Sequence, residues 1–276
     1  MAYHRLVDPE GETATARAAG RAGALLVAGI FASRTLEDIA AAATGPLWLQ
    51  LYWLRRRDAL AALVDRAGAA GYRAQVLTVD APRVGRRLRG ARNGFAVPPG
   101  IRAVNLDAGL TAASHRADAG ASGIETHARE QFDPSLTWAD LAWLRERSTL
   151  PLVLKGILAA EDARLAAEHG VDAVVVSNHG GRQLDGALPS LAALPEVAAP
   201  ARCWSAARCS GGSPRRGRRA WSACSACCGA NSTTPWPCWA APGCGISTGA
   251  HRRRGRAARM ACELKAHERQ LRERVR

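Results

Sequence analysis

Short apolar runs rich in β-branched residues alternate with amphipathic helical patterns through much of this chain. The predicted strands are Ala24–Phe31, Leu47–Trp53, Ala74–Asp80, Leu152–Ile157 and Ala173–Ser177. The predicted helices are Thr35–Ala43, Asp58–Ala69, Trp138–Arg147 and Glu161–His169. Gly71 and Gly170 follow two of these helices, as helix-ending glycines do. Repeated strand–helix units of this length predict an α/β fold with a parallel sheet, either open or closed into a barrel.

The segment 83–131 interrupts this alternation. It is rich in glycine and arginine, and its apolar residues follow no clear period. We therefore predict that it forms a loop or lid with little regular structure.

Polar side chains collect at the carboxyl ends of the predicted strands. They are Gln50 with Tyr52, Thr78 with Asp80, Lys155, and Ser177 with His179. Residues two apart on a strand point to the same side, so each pair faces one edge of the sheet. Both α/β barrels and open α/β sheets bind ligands at that edge. A single pair would be an ordinary strand end, whereas repetition over several strands favours a binding site.

The segment S-N-H-G-G-R-Q-L-D at 177–185 carries the clearest chemistry. His179 can accept a proton near neutral pH, and Arg182 can grip a carboxylate through two parallel hydrogen bonds. The glycines between them allow the backbone to approach a flat ligand. The pattern suits a substrate whose carboxylate lies next to the reacting carbon. On these residues alone, a structural turn is an equally good interpretation.

Several ordered motifs resemble those of the FMN-dependent α-hydroxy-acid dehydrogenases and oxidases. Besides 177–185, they are A-Y-H-R-L-V-D-P-E-G-E near the start, L-Q-L-Y at 49–52, L-T-V-D-A-P-R-V-G-R-R at 77–87, F-D-P-S-L-T-W at 132–138 and L-V-L-K-G-I at 152–157. The resemblance covers residues 2–198. It implies an incomplete (β/α)8 TIM barrel with FMN at its mouth.

The resemblance also implies catalytic roles at matching positions. His179 would be the base that removes a proton from the hydroxy acid, and Asp80 would stabilise its protonated form. Arg182 would bind the substrate carboxylate, and Tyr52 would contact the hydroxyl or the developing oxyanion. Lys155 would stabilise negative charge on the reduced flavin at its N1–C2=O edge.

Further binding roles follow from the same resemblance. Gln50, Thr78 and Ser177 would hydrogen-bond the flavin ring together with Lys155, and Arg87 would lie near the substrate with Tyr52, His179 and Arg182. Tyr52 and Lys155 also have plain structural interpretations, as an aromatic ring and a cation at strand ends. No metal site is expected.

The implied reaction is oxidation of a small L-2-hydroxy acid to the 2-oxo acid. Oxygen, a quinone or a cytochrome would then take the electrons, and family members are often homotetramers. Two alternatives stay open: another FMN barrel chemistry, such as peptide modification, or no catalysis at all, in a nonfunctional fragment or a basic nucleic-acid-binding protein.

Nothing in the sequence indicates a membrane or secretory segment. The longest apolar run, Gly23–Ala32, is about half of the roughly 20 residues that a membrane helix needs. The N-terminus lacks the pattern of a signal peptide. We therefore expect a cytoplasmic protein without a membrane span.

Residues 199–276 differ sharply from those before them. They carry 16 Lys+Arg against 3 Asp+Glu and hold all eight cysteines, whereas residues 1–198 carry 22 against 21. Their only Val, Ile and Leu residues are Ile246, Leu264, Leu271 and Val275. Because so few aliphatic side chains cannot bury a core, we predict one barrel domain at 1–198 and a poorly ordered tail at 199–276.

The sequence departs from the family pattern in three places. The family has a segment before the A-Y-H element that this chain lacks, and Gly29 lies nearest to a flavin-contacting serine. The family's phosphate-binding elements, D-G-G-x-R-R-G and V-G-R-P, do not occur here. Codons compatible with residues 202–212 permit V-L-V-G-R-P-V-L-W-G when shifted by one frame. We hypothesise that the tail is translated out of frame, and we expect weak FMN retention.

The tail has two other interpretations. Its basic clusters, R-R-G-R-R at 215–219 and R-R-R-G-R at 252–256, are interspersed with tryptophans and could bind nucleic acid without sequence specificity. Its cysteines could suggest zinc, but the spacing of Cys224, Cys227 and Cys228 matches no common finger. An out-of-frame extension remains the favoured interpretation.

Overall fold

A computed structural model describes residues 2–208, apart from residue 86 and residues 117–121. These residues form one five-stranded parallel sheet in which the strand order follows the chain order. The strands are β1 (Leu26–Gly29), β2 (Leu47–Leu51), β3 (Gln75–Thr78), β4 (Leu152–Ile157) and β5 (Ala173–Val176). All five lie within the strands predicted from the sequence.

Helices connect the strands and cover the sheet. They are α1 (Glu12–Arg21), α2 (Leu36–Ala42), α3 (Arg57–Ala69), α4 (Leu88–Arg92), α5 (Ala108–Thr111), α6 (Gly123–Gln131), α7 (Leu141–Arg147), α8 (Ala160–Glu168) and α9 (Ser190–Arg208). Short 3-10 turns lie at His4–Leu6, Ala112–His115 and His179–Gly181. The α-helices predicted between strands are confirmed as α2, α3, α7 and α8, with small shifts at their ends.

The centre of the sheet is buried on both faces. All four residues of β3 are buried, and Leu49, Leu77 and Leu154 on the three central strands are almost completely excluded from solvent. Strands of a parallel sheet are covered on both sides, and this accounts for their nearly continuous apolar sequences. The two outer strands are less covered: Val27 of β1 and Val175 of β5 are each 38% exposed.

The prediction for residues 83–131 was wrong. The segment contains α4, α5 and α6 as well as the turn Ala112–His115. Its longest helix, α6, begins at the cap Ser122, whose Oγ accepts a hydrogen bond from the backbone N–H of Glu125. The buried residues of α6 are Gly123, Thr126, His127 and Ala128. Because none of them is a large aliphatic residue, the helix leaves no apolar period in the sequence.

Two other helices were not predicted. α1 buries Glu12 and Ala16 and is otherwise small and polar, and α9 runs without interruption from Ser190 to Arg208. The predicted disorder, the basic clusters and the cysteine pattern of the tail lie outside the described residues, except for the first part of the tail within α9. Among the helices described, none is both long and apolar enough to cross a membrane.

Candidate functional site

Three of the predicted catalytic side chains meet at the carboxyl ends of β3, β4 and β5. Asp80 Oδ1 lies 2.8 Å from His179 Nδ1, and Asp80 Oδ2 lies 3.3 Å from Lys155 Nζ. Lys155 Nζ is also 3.4 Å from His179 Nδ1. A carboxylate only accepts hydrogen bonds, so His179 Nδ1 donates to Asp80 and its Nε2 keeps a free lone pair. The imidazole is therefore oriented to act as a base through Nε2.

The turn after β5 holds His179 in an unusual backbone conformation. His179 has φ of 58°, in the left-handed region that few residues other than glycine adopt. Its backbone N–H donates to Ser177 Oγ at 3.1 Å, and the N–H of Gly181 donates to Asn178 Oδ1 at 3.2 Å. Such conformations cost about 1–3 kcal/mol and persist where the surroundings hold them. The side chains of Ser177 and Asn178 supply that support.

A glycine bulge in β4 makes room for Asp80. The register between β4 and β5 shifts between Lys155 and Ile157, which places Gly156 at an irregularity with φ of 117°. A Cβ atom on Gly156 would lie 2.5 Å from Cβ of Asp80. Only glycine fits there without displacing the carboxylate. Gly156 therefore sets the position of Asp80, although it makes no side-chain contact itself.

Tyr52 follows β2 and is held by aromatic packing. Its ring stacks on Phe132 with centroids 4.4 Å apart and on Phe31 at 5.7 Å. Burial raises the pKa of Tyr52 to about 12; the negative charge of Asp80 adds to this shift and the positive charge of Arg87 opposes it. Tyr52 therefore stays a neutral phenol at physiological pH and can donate a hydrogen bond to an oxygen.

Gln50 on β2, Thr78 on β3 and Lys155 on β4 form a row of polar side chains across three neighbouring strands. Gln50 Nε2 donates to Thr78 Oγ1 at 3.0 Å, and the sheet register sets Thr78 directly beside Lys155. Because the Thr78 oxygen accepts this bond, its own hydroxyl hydrogen is left to donate elsewhere. Lys155 has three N–H donors and uses one of them on Asp80; because His179 Nδ1 is itself a donor, two donors of Lys155 remain available.

Two arginines add positive charge beside this row. Burial lowers the pKa of Arg87, and the nearby charge of Arg182 lowers it further. Arg182 lies on the same turn as His179, and its side chain is exposed. Two guanidinium groups close enough to interact form a site suited to an anion such as a carboxylate.

Gln183 ties the segment after β3 to the turn after β5. Its Oε1 accepts from the backbone N–H of Gly85 at 2.9 Å and lies 3.5 Å from Nη2 of Arg87, and its Nε2 donates to the Arg83 carbonyl at 3.4 Å. A Cβ atom on Gly85 would lie 2.5 Å from the carbonyl oxygen of Arg182. The two segments therefore pack backbone against backbone, with Gln183 as the connection.

A cavity of about 110 Å³ joins several of these groups. Tyr52, Arg87, His179 and Gln183 line it, together with an aromatic and apolar wall that includes Tyr3, Phe31, His127, Ile124 and Phe132. Gln50, Thr78, Lys155 and Arg182 lie outside this lining. Two predicted catalytic residues, Tyr52 and His179, and the predicted substrate-binding residue Arg87 therefore line the cavity.

Sequence reasoning missed Gly156, Gln183 and His127. Gln183 stood within the 177–185 motif and Gly156 within L-V-L-K-G-I, so both were visible but had no role that the sequence could assign. His127 lies in the segment interpreted as a loop, where nothing marked it. Among the described residues, no three His, Cys, Asp or Glu side chains are grouped as metal ligands.

The parallel sheet thus brings a histidine, a carboxylate and a lysine together at the carboxyl ends of its strands, where α/β enzymes place their active sites. The family model for FMN-dependent dehydrogenases matches residues 1–217. The chain belongs to this family.

Relatives and solved structures agree with this assignment. The chain is 50% identical over 199 residues to a 4-hydroxymandelate oxidase of Amycolatopsis orientalis and 48% identical over 203 residues to an L-lactate oxidase of Nostoc sp.. Each match covers 72% of this chain and 55% of the relative. A glycolate oxidase of Spinacia oleracea is 41% identical over 196 residues, which are 71% of this chain and 53% of the relative.

A crystal structure of a mandelate oxidase with (S)-4-hydroxymandelic acid superposes with a TM-score of 0.70 at 48% identity, covering 73% of this chain and 56% of that one. The parallel sheet and the α/β pattern are those of TIM-barrel flavoenzymes, so the predicted fold class is confirmed. The chain spans about half the length of the curated relatives that it matches.

Proposed function

We propose that this chain carries the catalytic residues for FMN-dependent oxidation of an L-2-hydroxy acid to a 2-oxo acid. One observation carries the proposal: Asp80, Lys155 and His179 converge within 3.4 Å of one another at the carboxyl edge of the sheet. The names of the relatives support it, since they are lactate, 4-hydroxymandelate and glycolate oxidases.

His179 is the proposed base. With Nδ1 held by Asp80, Nε2 can accept the hydroxyl proton of the substrate, and the imidazolium that forms lies 2.8 Å from a carboxylate. Asp80 therefore stabilises the protonated state and fixes the ring orientation. In the folded site Asp80 is 11% exposed, so little water competes for this contact.

Tyr52, Arg87 and Arg182 are proposed to orient the substrate. The guanidinium groups would hold the carboxylate, and the neutral phenol of Tyr52 would donate to the hydroxyl oxygen. Tyr52 has a pKa of about 12, and this keeps its proton in place throughout the working pH range. Binding the acid between fixed donors places its α-carbon in one orientation relative to His179.

The polar side chains at the strand ends suit the ring of a flavin. Gln50, Thr78, Lys155 and Ser177 offer an amide, two hydroxyls and an ammonium, and they would hold the ring by hydrogen bonds. FMN would supply the two-electron acceptor. The positive charge of Lys155 would then stabilise negative charge that develops on the ring edge. The family's phosphate-binding motifs do not occur in the sequence, so we expect this chain to retain FMN weakly.

The proposal is tested by adding an excess of FMN and recording flavin reduction without oxygen. Addition of L-lactate, glycolate or (S)-mandelate should bleach the flavin absorbance in the parent chain. The substitution His179→Ala should lower the reduction rate by roughly 10²–10⁴-fold, the range for loss of a general base. FMN binding, followed by quenching of flavin fluorescence, should be unchanged in this variant.

His169→Ala is the matched control, because His169 is exposed and stacks on Trp138 away from the cavity. It should reduce flavin at the parent rate. Equal reduction by the parent chain and His179→Ala would reject the assignment of the base. A parent chain that binds FMN but is reduced by no 2-hydroxy acid would reject the proposed function.

A further inference from the structure

A second cavity adjoins the one that Tyr52 and His179 line, which we call the inner cavity. The second cavity has a volume of about 260 Å³, more than twice the 110 Å³ of the inner cavity. Three residues line both cavities: Val84, Ala128 and Phe132. The two cavities are therefore neighbours that share an apolar wall, and no step of the proposed reaction uses the larger one.

Three arginines from three different segments line this larger cavity, which we call the arginine cavity. Arg55 follows β2, Arg83 follows β3 and Arg129 lies on α6. The backbone N–H of Arg55 donates to the carbonyl of Gln131 at 2.8 Å, which joins the segment after β2 to the end of α6. The carbonyl of Arg83 accepts from Gln183 Nε2 at 3.4 Å. Contacts between distant segments therefore hold the backbone of both arginines beside the cavity.

The charges of Arg55 and Arg83 are not neutralised by any partner among the residues that the structure describes. Neither side chain makes an ion pair or a hydrogen bond there. One carboxylate residue, Glu125, also lines the cavity, and its charge acts on Arg87. Three arginines against one glutamate leave the lining of the arginine cavity with a positive formal charge.

Unpaired arginines around a cavity with an apolar wall suit a small carboxylate anion. A guanidinium group binds a carboxylate through two parallel hydrogen bonds, and these are stronger where apolar neighbours limit access of water. The wall shared with the inner cavity supplies such neighbours. Arg83 also lines a third cavity, which contains Asp80 and Gln183. Arg83 therefore lies between the arginine cavity and the catalytic edge of the sheet.

We propose that the arginine cavity is a second binding site for small carboxylate anions, held by Arg55 and Arg83 beside the inner cavity. The identity of the anion rests on the proposed function: it is a 2-hydroxy acid or the 2-oxo acid formed from it. An acid bound there lies next to the catalytic residues without occupying their cavity. The site therefore raises the local concentration of substrate and makes no contact with the reacting carbon.

Binding is tested on the arginine side chains themselves by NMR, which needs no turnover. In chain labelled with ¹⁵N-arginine, sodium L-lactate should shift the Nε–H signals of Arg55 and Arg83, each assigned by its absence in Arg55→Gln or Arg83→Gln. Sodium chloride at equal ionic strength is the reference for screening. The shifts should saturate with lactate at a dissociation constant roughly ten-fold or more below that of chloride, the size of one charge-assisted hydrogen bond. Arg87→Gln should leave these shifts in place.

The double variant Arg55→Gln with Arg83→Gln tests the contribution of the site to flavin reduction. With excess FMN at low ionic strength, kcat/KM for L-lactate should fall several-fold while kcat is unchanged, because His179 and its partners are not altered. The difference should disappear at about 1 M salt, where the screening length is about 3 Å. The matched control is Arg21→Gln with Arg73→Gln, which removes two exposed arginines near the amino ends of β1 and β3. It should keep the parent kcat/KM.

The outcomes separate this site from the proposed function. Saturating shifts at Arg55 and Arg83, in a chain whose flavin is reduced by no 2-hydroxy acid, support the carboxylate site and reject the proposed function. Equal shifts with lactate and chloride overturn the site, even where flavin is reduced. An equal fall of kcat/KM in the two double variants would be an effect of net charge and would also overturn it.

Discussion

Asp80 divides its two carboxylate oxygens between Lys155 and His179. Any displacement of the Asp80 side chain therefore changes the orientation of His179 and the ion pair with Lys155 at the same time. A side chain at position 156 would displace Asp80, because a Cβ on Gly156 would lie 2.5 Å from Cβ of Asp80. Gly156 therefore determines the position of Asp80 and of the two contacts that Asp80 makes.

We predict that Gly156→Ala destabilises the fold by about 3 kcal/mol or more and lowers the rate of flavin reduction at least ten-fold. The penalty combines a left-handed backbone with overpacking, each costing about 1–3 kcal/mol. Urea unfolding and anaerobic flavin reduction measure the two effects. Gly71→Ala is the matched control, with φ of 85° and no atom within 4 Å of the added Cβ. Similar losses of stability and rate in both variants would contradict the role of Gly156.

At the scale of elements, the segment after β3 is positioned by the turn after β5. Gln183 accepts from Gly85 and donates to the Arg83 carbonyl, so one side chain holds a segment about 100 residues earlier in sequence. Arg87 lies on this segment and lines the cavity beside Tyr52 and His179. The motifs at 77–87 and 177–185 therefore form one structural unit.

We predict that Gln183→Leu frees the segment 83–87. The KM for a 2-hydroxy acid should rise several-fold with little change in kcat, because Arg87 loses its positioning while His179 keeps Asp80. Limited digestion should show trypsin cutting after Arg83 and Arg87 several-fold faster, a result that does not depend on activity. Leu184→Ala, at a neighbouring side chain that is 70% exposed, serves as the control. Equal digestion of Gln183→Leu and the parent chain would argue against the connection.

The sequence predicted the strands well because their apolar runs are continuous and bounded by helices. It failed at α1 and α6, whose buried residues are alanine, glycine, threonine, histidine and glutamate rather than large aliphatic residues. The site residues at strand ends were predictable, since parallel strands bring their carboxyl ends together. The Gly156 bulge, the Gln183 connection and the cavity depend on cross-strand register and on packing between distant segments, which no local pattern records.

At the scale of the whole molecule, buried titratable groups link stability to pH. His127 has a pKa of about 4 in the fold against 6.5 in an unfolded chain. Between these values the unfolded chain binds more protons, so the free energy of unfolding falls as the pH falls. The stability contributed by neutral His127 is complete above pH 6.5 and is lost as the pH falls through about 4.

We predict that His127→Phe unfolds less readily in acid than the parent chain does. Between pH 7.5 and pH 4, the parent should lose roughly 3 kcal/mol more than the variant, the value of the His127 shift at 1.36 kcal/mol per pH unit. Urea midpoints at several pH values give this difference. The lowered pKa values of Glu12 and Asp133 contribute equally to both proteins. Parallel losses in parent and variant would show that His127 does not govern the acid response.

The order of the strands in the sheet also has a consequence for synthesis on the ribosome. Because β1 to β5 pair in the order in which they are made, each strand finds its neighbour already present as it emerges. Asp80 and Lys155 reach the edge of the sheet before β5 is made, and His179 arrives only after β5 has docked. A nascent chain therefore has Asp80, Arg87 and Lys155 in place before His179 and Arg182, so the proposed base and the second guanidinium group are added together, once β5 has joined the sheet.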